Sequence, residues 1–116
     1  MQRTNFKMEN SNITMVRGDT VSFNFSVIDG NGQLMNLDSA HFTCKKNPTG
    51  QSYTFQKSFD DGIQFLDDCY VVRIAPEDTA DVLAGQYYYD LQIGVGDDIF
   101  TILRGVLSIE QDVTTN

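Results

Sequence analysis

The side chains that could catalyse a reaction are few and scattered along the chain. The single histidine, His41, falls on the polar side of a predicted strand, and no serine lies in a Gly-x-Ser-x-Gly nucleophile pattern. The neighbouring carboxylates Asp60-Asp61, Asp67-Asp68 and Asp97-Asp98 could act as acid and base, but each pair lies in a turn, where adjacent side chains diverge into solvent. These patterns predict a protein without enzyme activity.

The spacing of possible ligands also gives little support for a metal site or a disulfide. The segment Asp29-Gly-Asn-Gly-Gln33 begins like a calcium-binding loop, but Ala40 stands where an EF-hand needs its bidentate glutamate. Histidine and cysteine are too few for a transition-metal centre. Cys44 is in phase with the apolar residues of its predicted strand and Cys69 is out of phase, so we expect two unpaired thiols on different faces. We therefore expect no cofactor.

Alternation of apolar and polar residues predicts short strands along most of the chain. The clearest example is the segment from Val21 to Val27, in which every second residue is apolar and the residues between are Ser or Asn. Turn residues separate about seven to nine such strands, which is typical of a sandwich. The only helical candidate, from Pro76 to Leu83, has proline in its first turn. The sequence thus predicts an all-β, antiparallel immunoglobulin-like β-sandwich with one short helical turn near residues 76–83.

The last quarter of the chain predicts a β-hairpin that contains the candidate interaction surface. A Gly-Asp-Asp turn at 96–98 separates two apolar runs. In the second run both the odd and the even positions are apolar, so one face packs on the core, and a segment of this chain or another subunit covers the other. In the first run one tyrosine is free to point outward. The predicted interaction residues are Tyr88, Phe100, Ile102 and Val106.

Length and composition indicate one folded domain. The chain has 116 residues, of which 41% are hydrophobic and 21% charged, as in a globular protein that buries its own core. We expect residues 1–12 to form a flexible N-terminal arm and residues 13–114 to form a single β-sandwich domain. A secretory signal peptide and an apolar run long enough for membrane insertion are both missing, so we expect synthesis in the cytoplasm.

The charge balance limits the classes of partner. Asp and Glu number 16 and Lys and Arg number 8, which gives a formal net charge of −8. The basic residues are scattered along the chain. Such a protein is repelled by the phosphates of nucleic acids and by anionic membranes. The sequence therefore favours protein partners, including further copies of the chain, over nucleic acid or membrane.

Five segments, in their order and spacing, resemble a known group of domains. The segments are Val16-Arg-Gly-Asp-Thr20, Asp29-Gly-Asn-Gly32 with Leu37-Asp38, Pro76-Glu-Asp-Thr-Ala80, Gly85-x-Tyr87-x-Tyr89-Asp-Leu-Gln92, and Thr101-Ile-Leu-Arg-Gly105 followed by Asp112-Val-Thr114. With these segments the chain is similar to the small immunoglobulin-like β-sandwich domains of tailed bacteriophages and prophages, which occur in baseplate, tail-fibre and head-decoration proteins. The resemblance implies a sandwich of seven or more strands, a structural role in the virion, other virion proteins as partners and no enzyme activity.

Two functions stay open on the sequence alone. The first is a phage structural or accessory protein, made in the bacterial cytoplasm and located in the virion, that acts through protein contacts. The second is a carbohydrate or cell-surface binding module that uses Tyr88 and the acidic loops, with or without calcium.

Overall fold

The computed structural model of the chain describes residues 7–9 and 11–114. The all-β prediction is confirmed, and the predicted helical turn is present but shorter than 76–83. In chain order the elements of the described residues are β1 (Lys7–Glu9), β2 (Asn12–Val16), β3 (Val21–Phe25), β4 (Ser39–Lys45), β5 (Phe55–Phe59), β6 (Gly62–Leu66), β7 (Cys69–Ile74), α1 (Pro76–Thr79), β8 (Gly85–Val95) and β9 (Asp98–Glu110).

The strands form one mixed sheet in the order β1-β2-β9-β8-β4-β5-β6-β7-β3. The β2–β9 and β5–β6 pairings are parallel and the others described are antiparallel, so the predicted antiparallel arrangement holds only in part. Between β5 and β6 the chain turns a corner at Asp60, whose φ is 64°, instead of reversing as a hairpin. β2 and β9 are far apart in the sequence, so no turn between them sets the direction of β2.

The sheet curls so that side chains from distant strands share one core. Phe42 of β4 is fully buried, and its ring lies 5.6 Å from that of Phe23 on β3, a strand that is not its neighbour in the sheet. Burying one large apolar side chain contributes about 1.5–3 kcal/mol, so this core supplies the main stabilisation. Apart from Phe42, the largest fully buried side chains are Ile13, Met15, Ile63, Ile74, Leu91, Leu107, Ile109, Val21, Val72, Thr79 and Cys44.

Part of the segment predicted to be a flexible arm belongs to the sheet. β1 pairs with β2, the Tyr89 hydroxyl donates to the Ser11 carbonyl, and the Val106 N–H donates to Asn12 Oδ1 at 3.0 Å. Gly105 lies so close to the backbone of Ser11 that a Cβ there would collide with it. Ser11 and Asn12 are therefore part of the folded unit, while residues 1–6 and 10 lie outside the described residues.

Polar contacts fix the end of the sheet at which α1 lies, which we call the helix end. The Lys57 ammonium is largely buried and lies 2.8 Å from the Asp78 carboxylate in α1. Arg17 Nε lies 2.8 Å from Asp112 Oδ1, and the Gly18 N–H donates to Thr79 Oγ1 at 2.8 Å. These groups would cost free energy if they were buried without partners, so the pairings hold α1 and both chain segments in place.

The β6–β7 hairpin turns on two aspartates in an uncommon backbone conformation. Leu66 pairs with Cys69, and the two residues between them, Asp67 and Asp68, have φ values of 52° and 66°. Positive φ at both central residues defines a type I′ turn, which favours Asn-Gly. Aspartate tolerates positive φ better than most residues do, but this turn also places two carboxylates side by side. The turn therefore has a local energetic cost.

Replacing this turn by Asn-Gly should stabilise the fold. We expect Asp67→Asn combined with Asp68→Gly to raise the free energy of unfolding by about 1 kcal/mol, because glycine adopts positive φ without strain. The measurement is urea unfolding of the variant and the wild type. The control is Asp97→Asn with Asp98→Asn, which removes two charges where neither residue has positive φ. An equal gain in the control would show that charge, and not the backbone, limits stability.

Candidate functional site

The four predicted interaction residues lie on β8 and β9, but a β-bulge divides them. Tyr88 pairs with Val106 and Ile93 pairs with Phe100, with a shift of register between the two pairs. Ile102 has no partner in this register and forms the bulge. Ile93 points into the core, and directly paired residues share a face, so Phe100 lies on the core side while Tyr88 and Val106 lie on the outer side. The expectation of one continuous apolar face is corrected accordingly, because the extra residue reverses the alternation.

Tyr88 and Val106 line a shallow groove of about 460 Å³ on the outer face of β4, β8 and β9. The Tyr88 residue is 38% exposed. Side chains of both charges, Lys45, Asp90 and Arg104, line the same groove. The groove therefore offers one aromatic surface with hydrogen-bonding groups around it, a composition suited to a weak polar contact.

Phe100 belongs to a second surface, at the end of the sheet opposite the helix end. There the long β3–β4 connection meets the β8–β9 turn: the Asp38 N–H donates to the Gly94 carbonyl at 2.8 Å, and the Gly96 N–H donates to Asp38 Oδ2 at 2.6 Å. Residues 36–37 of the same connection also line a groove with residues 59–60, 63–66 and 70. We call the surface formed by residues 26–38, 59–68 and 94–100 the loop end. Its segment 59–68 begins nearer the helix end, where a Cβ at Gly62 would collide with the Lys57 side chain, and runs along β6 to the opposite end of the sheet.

A cluster of aromatic rings connects the loop end to the core. The Tyr70 ring lies 5.4 Å from Phe25, 5.7 Å from Phe59 and 4.8 Å from Phe65, measured between ring centroids. The Tyr70 hydroxyl accepts a hydrogen bond from the buried Leu37 N–H at 2.8 Å. The β3–β4 connection is thus held against β6 and β7, so the loop end is a defined surface and not a set of independent loops.

Large apolar side chains of the loop end are exposed to solvent. Such side chains are ordinary when they occur singly, but a group of them at one end of a small domain indicates a contact surface. A groove of about 650 Å³ over Leu37, Ile63 and Tyr70 is lined by two of them, Phe65 and Leu66. The exposed side chains, 49% to 62% accessible, are Ile28, Leu34, Phe65, Leu66, Ile99 and Phe100.

The segments of the loop end also contain an excess of acidic residues equal to the formal net charge of the chain. The three segments contain eight aspartates and no Lys or Arg, while the remaining eight carboxylates balance the eight basic residues elsewhere. The sequence showed the aspartate pairs but not that Asp38 lies against the β8–β9 turn, which depends on how the strands are connected. The aspartates are Asp29, Asp38, Asp60, Asp61, Asp67, Asp68, Asp97 and Asp98.

The His, Cys and acidic side chains of the described residues are not grouped as a metal site requires. In the part of the chain that the structure describes, no group of three or more His, Cys, Asp or Glu could hold a metal ion. Burial raises the pKa of Cys44 to about 12, so this thiol is protonated at neutral pH and is not a nucleophile. Burial likewise raises the pKa of Tyr89 to about 12. Cys69 is half-buried and donates to the Leu66 carbonyl at 3.3 Å, and both thiols are free.

Comparisons with known proteins do not assign the chain to a family, so its function is inferred from its fold and its surfaces. No protein-family model matches the chain, and no curated protein matches its sequence. The described helix, α1, has four residues, far fewer than a membrane-spanning helix needs.

The buried thiol should make the fold less stable in alkaline solution. The pKa of Cys44 is about 12 in the folded chain against 9.0 for an ordinary thiol, so between these values the unfolded chain loses a proton that the folded chain keeps. The free energy of unfolding should therefore fall increasingly steeply as the pH rises through about 9, by about 1.4 kcal/mol in total between about pH 8 and about pH 10. Urea unfolding at several pH values between about 8 and about 10 measures this slope.

Two cysteine variants identify the group responsible. We expect Cys44→Ala to remove most of the fall in stability over this pH range and Cys69→Ala to leave it unchanged, since Cys44 is the fully buried thiol of the two. The same slope in wild type and Cys44→Ala would contradict the assignment.

Proposed function

We propose that the chain is an immunoglobulin-like β-sandwich domain and a non-enzymatic structural or accessory component of a bacteriophage or prophage particle. In this proposal it acts in a baseplate, a tail or a head decoration, by contact with other virion proteins. Two kinds of observation support the proposal. The strand connections and one tyrosine favour the immunoglobulin-like fold, and the loop end favours action through protein contacts.

The order of the strands fits an immunoglobulin-like sandwich if the corner between β5 and β6 is taken as the boundary between two layers. β5, β4, β8 and β9 then correspond to strands C′, C, F and G, and β6, β7 and β3 to strands D, E and B. The Phe23–Phe42 contact joins β3 to β4 across the core, as two facing layers require. The β5–β6 pairing involves only Ser58 with Gly62 and Phe59 with Ile63, so it is a short junction.

The start of β8 has a second feature of this fold. Tyr87 is buried, and its hydroxyl donates to the Leu83 carbonyl at 2.6 Å, just after α1 in the connection between β7 and β8. A tyrosine near the start of strand F that bonds back to the preceding corner is a hallmark of immunoglobulin-like domains. Burial, and then the nearby Cys44, raise the pKa of Tyr87, so its hydroxyl keeps the proton that it donates.

The observation on which the proposed mode of action depends is the composition of the loop end. Six large apolar side chains are exposed there, in segments whose excess of acidic residues equals the formal net charge. Exposed apolar area is unfavourable in water, and a partner that covers it removes this free-energy cost. The charges keep the isolated domain soluble and restrict which partners can bind. Such a surface suits a subunit that is stable alone and binds during assembly.

Purified particles provide the test of this proposal. In gradient-purified phage or induced prophage particles from the encoding strain, we expect the chain in a fixed ratio to the other virion proteins. Deleting its coding sequence should lower the yield of complete or infectious particles. Complete, infectious particles that lack the chain and do not change on deletion would contradict the proposal.

The groove around Tyr88 favours a second candidate, carbohydrate binding, because an exposed aromatic ring beside Lys45, Asp90 and Arg104 could stack on a sugar and bond its hydroxyls. A glycan array, probed with calcium and with chelator, separates the two candidates. The protein-contact proposal predicts no specific glycan signal. A signal that is lost in Tyr88→Ala but kept in Tyr53→Ala, an exposed tyrosine outside this groove, would favour carbohydrate binding.

A further inference from the structure

We infer that the loop-end groove binds a segment of a partner protein that presents an apolar side chain flanked by Lys or Arg. The inference rests on the proposed function and makes it more specific, because it names the surface that binds and the chemistry of its partner. It is argued from the shape of the groove, from the charge around it and from the turn that forms one side of it.

The groove is an open depression with apolar residues at its base. Ile63 and Tyr70 are buried beneath it, while Phe65 and Leu66 are half-exposed at its side. The Tyr70 hydroxyl accepts a hydrogen bond from the Leu37 N–H, which fixes the position of Leu37 in the groove. An apolar side chain placed on such a fixed surface contributes to binding with little ordering of the protein.

The charge around the groove selects a basic partner. Asp60 lines the groove, Asp67 and Asp68 follow Leu66 directly, and no Lys or Arg lies in the loop-end segments. A second copy of the chain is a poor occupant, because it would bring another eight aspartates against the first eight. Nucleic acids and anionic membranes are repelled for the same reason. Charge complementarity thus indicates a protein segment that carries Lys or Arg beside its apolar anchor.

The turn beside the groove gives the same indication. Asp67 and Asp68 occupy a type I′ turn in which Asn-Gly would have a lower conformational energy. The turn also places two adjacent carboxylates beside the groove, where they would attract a partner that bears positive charge. Positions at which a sequence departs from local preference are those at which a functional demand is expected.

A peptide titration of the whole chain, followed by amide chemical shifts, tests the inference. The probe is acetyl-Arg-Lys-Phe-Leu-Lys-Arg-amide, and two further peptides replace either its basic residues by Asp and Glu or its Phe-Leu by Ser-Ser. We expect only the first peptide to shift the amides of residues 59–70 and 34–38. Its affinity should fall by about tenfold or more between about 0.02 M and about 0.5 M salt, because charge attraction is screened.

Matched variants assign the effect to the groove. Leu66→Ser should weaken binding at least about tenfold, whereas Leu83→Ser, an equal change at a more exposed leucine near the helix end, should not. Asp67→Asn with Asp68→Asn should weaken binding several-fold at low salt and keep the turn, since Asn also adopts positive φ. The charge control is Glu77→Gln with Asp81→Asn, two exposed residues at the helix end.

The outcomes separate this inference from the proposed function. Equal binding of all three peptides, shifts outside the loop end, or weakening by Leu83→Ser equal to that by Leu66→Ser would overturn the inference. If such a result accompanies a chain that is present in particles, the proposed function stands and only this surface is rejected. If the chain is missing from particles but the peptide binds as described, the surface stands and the virion role is rejected.

Discussion

The hydrogen bond between the Leu37 N–H and the Tyr70 hydroxyl joins the core to the loop end, the surface on which the proposed function depends. Three phenylalanine rings surround Tyr70, so its hydroxyl has a fixed position. A buried N–H without a partner costs about 1–3 kcal/mol, which makes the bond a strong constraint on the β3–β4 connection. This bond fixes the β3–β4 connection, which has little regular structure, as one side of the groove. Together with the bonds of Asp38 to Gly94 and Gly96, it gives the loop end a defined shape.

The two ends of the molecule differ in how their charged groups are paired, and the proposed function assigns interaction to the loop end. At the helix end, charged groups are paired with each other: Lys57 lies against Asp78 and Arg17 against Asp112. The loop-end segments contain eight aspartates and no basic residue, and three of these aspartates, Asp60, Asp67 and Asp68, have positive φ. The core and the helix end must offset the cost of these conformations. This difference matches a domain that folds alone and keeps one end available for a partner.

The local sequence pattern predicted the strands well, but it predicted poorly how the strands pair and which loops lie close together. Alternation from Val21 to Val27 predicts the inward face correctly because it depends on neighbouring residues alone, but β3 ends at Phe25, before Val27. The bulge at Ile102 was not predicted, because it depends on the register between β8 and β9. It places Phe100 and Val106 on opposite faces of the sheet. The parallel β2–β9 pairing and the contact of Asp38 with the β8–β9 turn likewise depend on topology. The individual aspartates were visible in the sequence, but this contact was not.

The central claim is that the loop end, and not the outer face of β8 and β9, is the working surface of the protein. Amide hydrogen exchange measured on the isolated chain and on the chain within its purified assembly tests this most directly. The account predicts that residues 59–68 and 94–100 gain protection on assembly while residues 86–92 and 104–106 change little. Protection gained on the outer face alone, with the loop end exchanging as in the free chain, would contradict it.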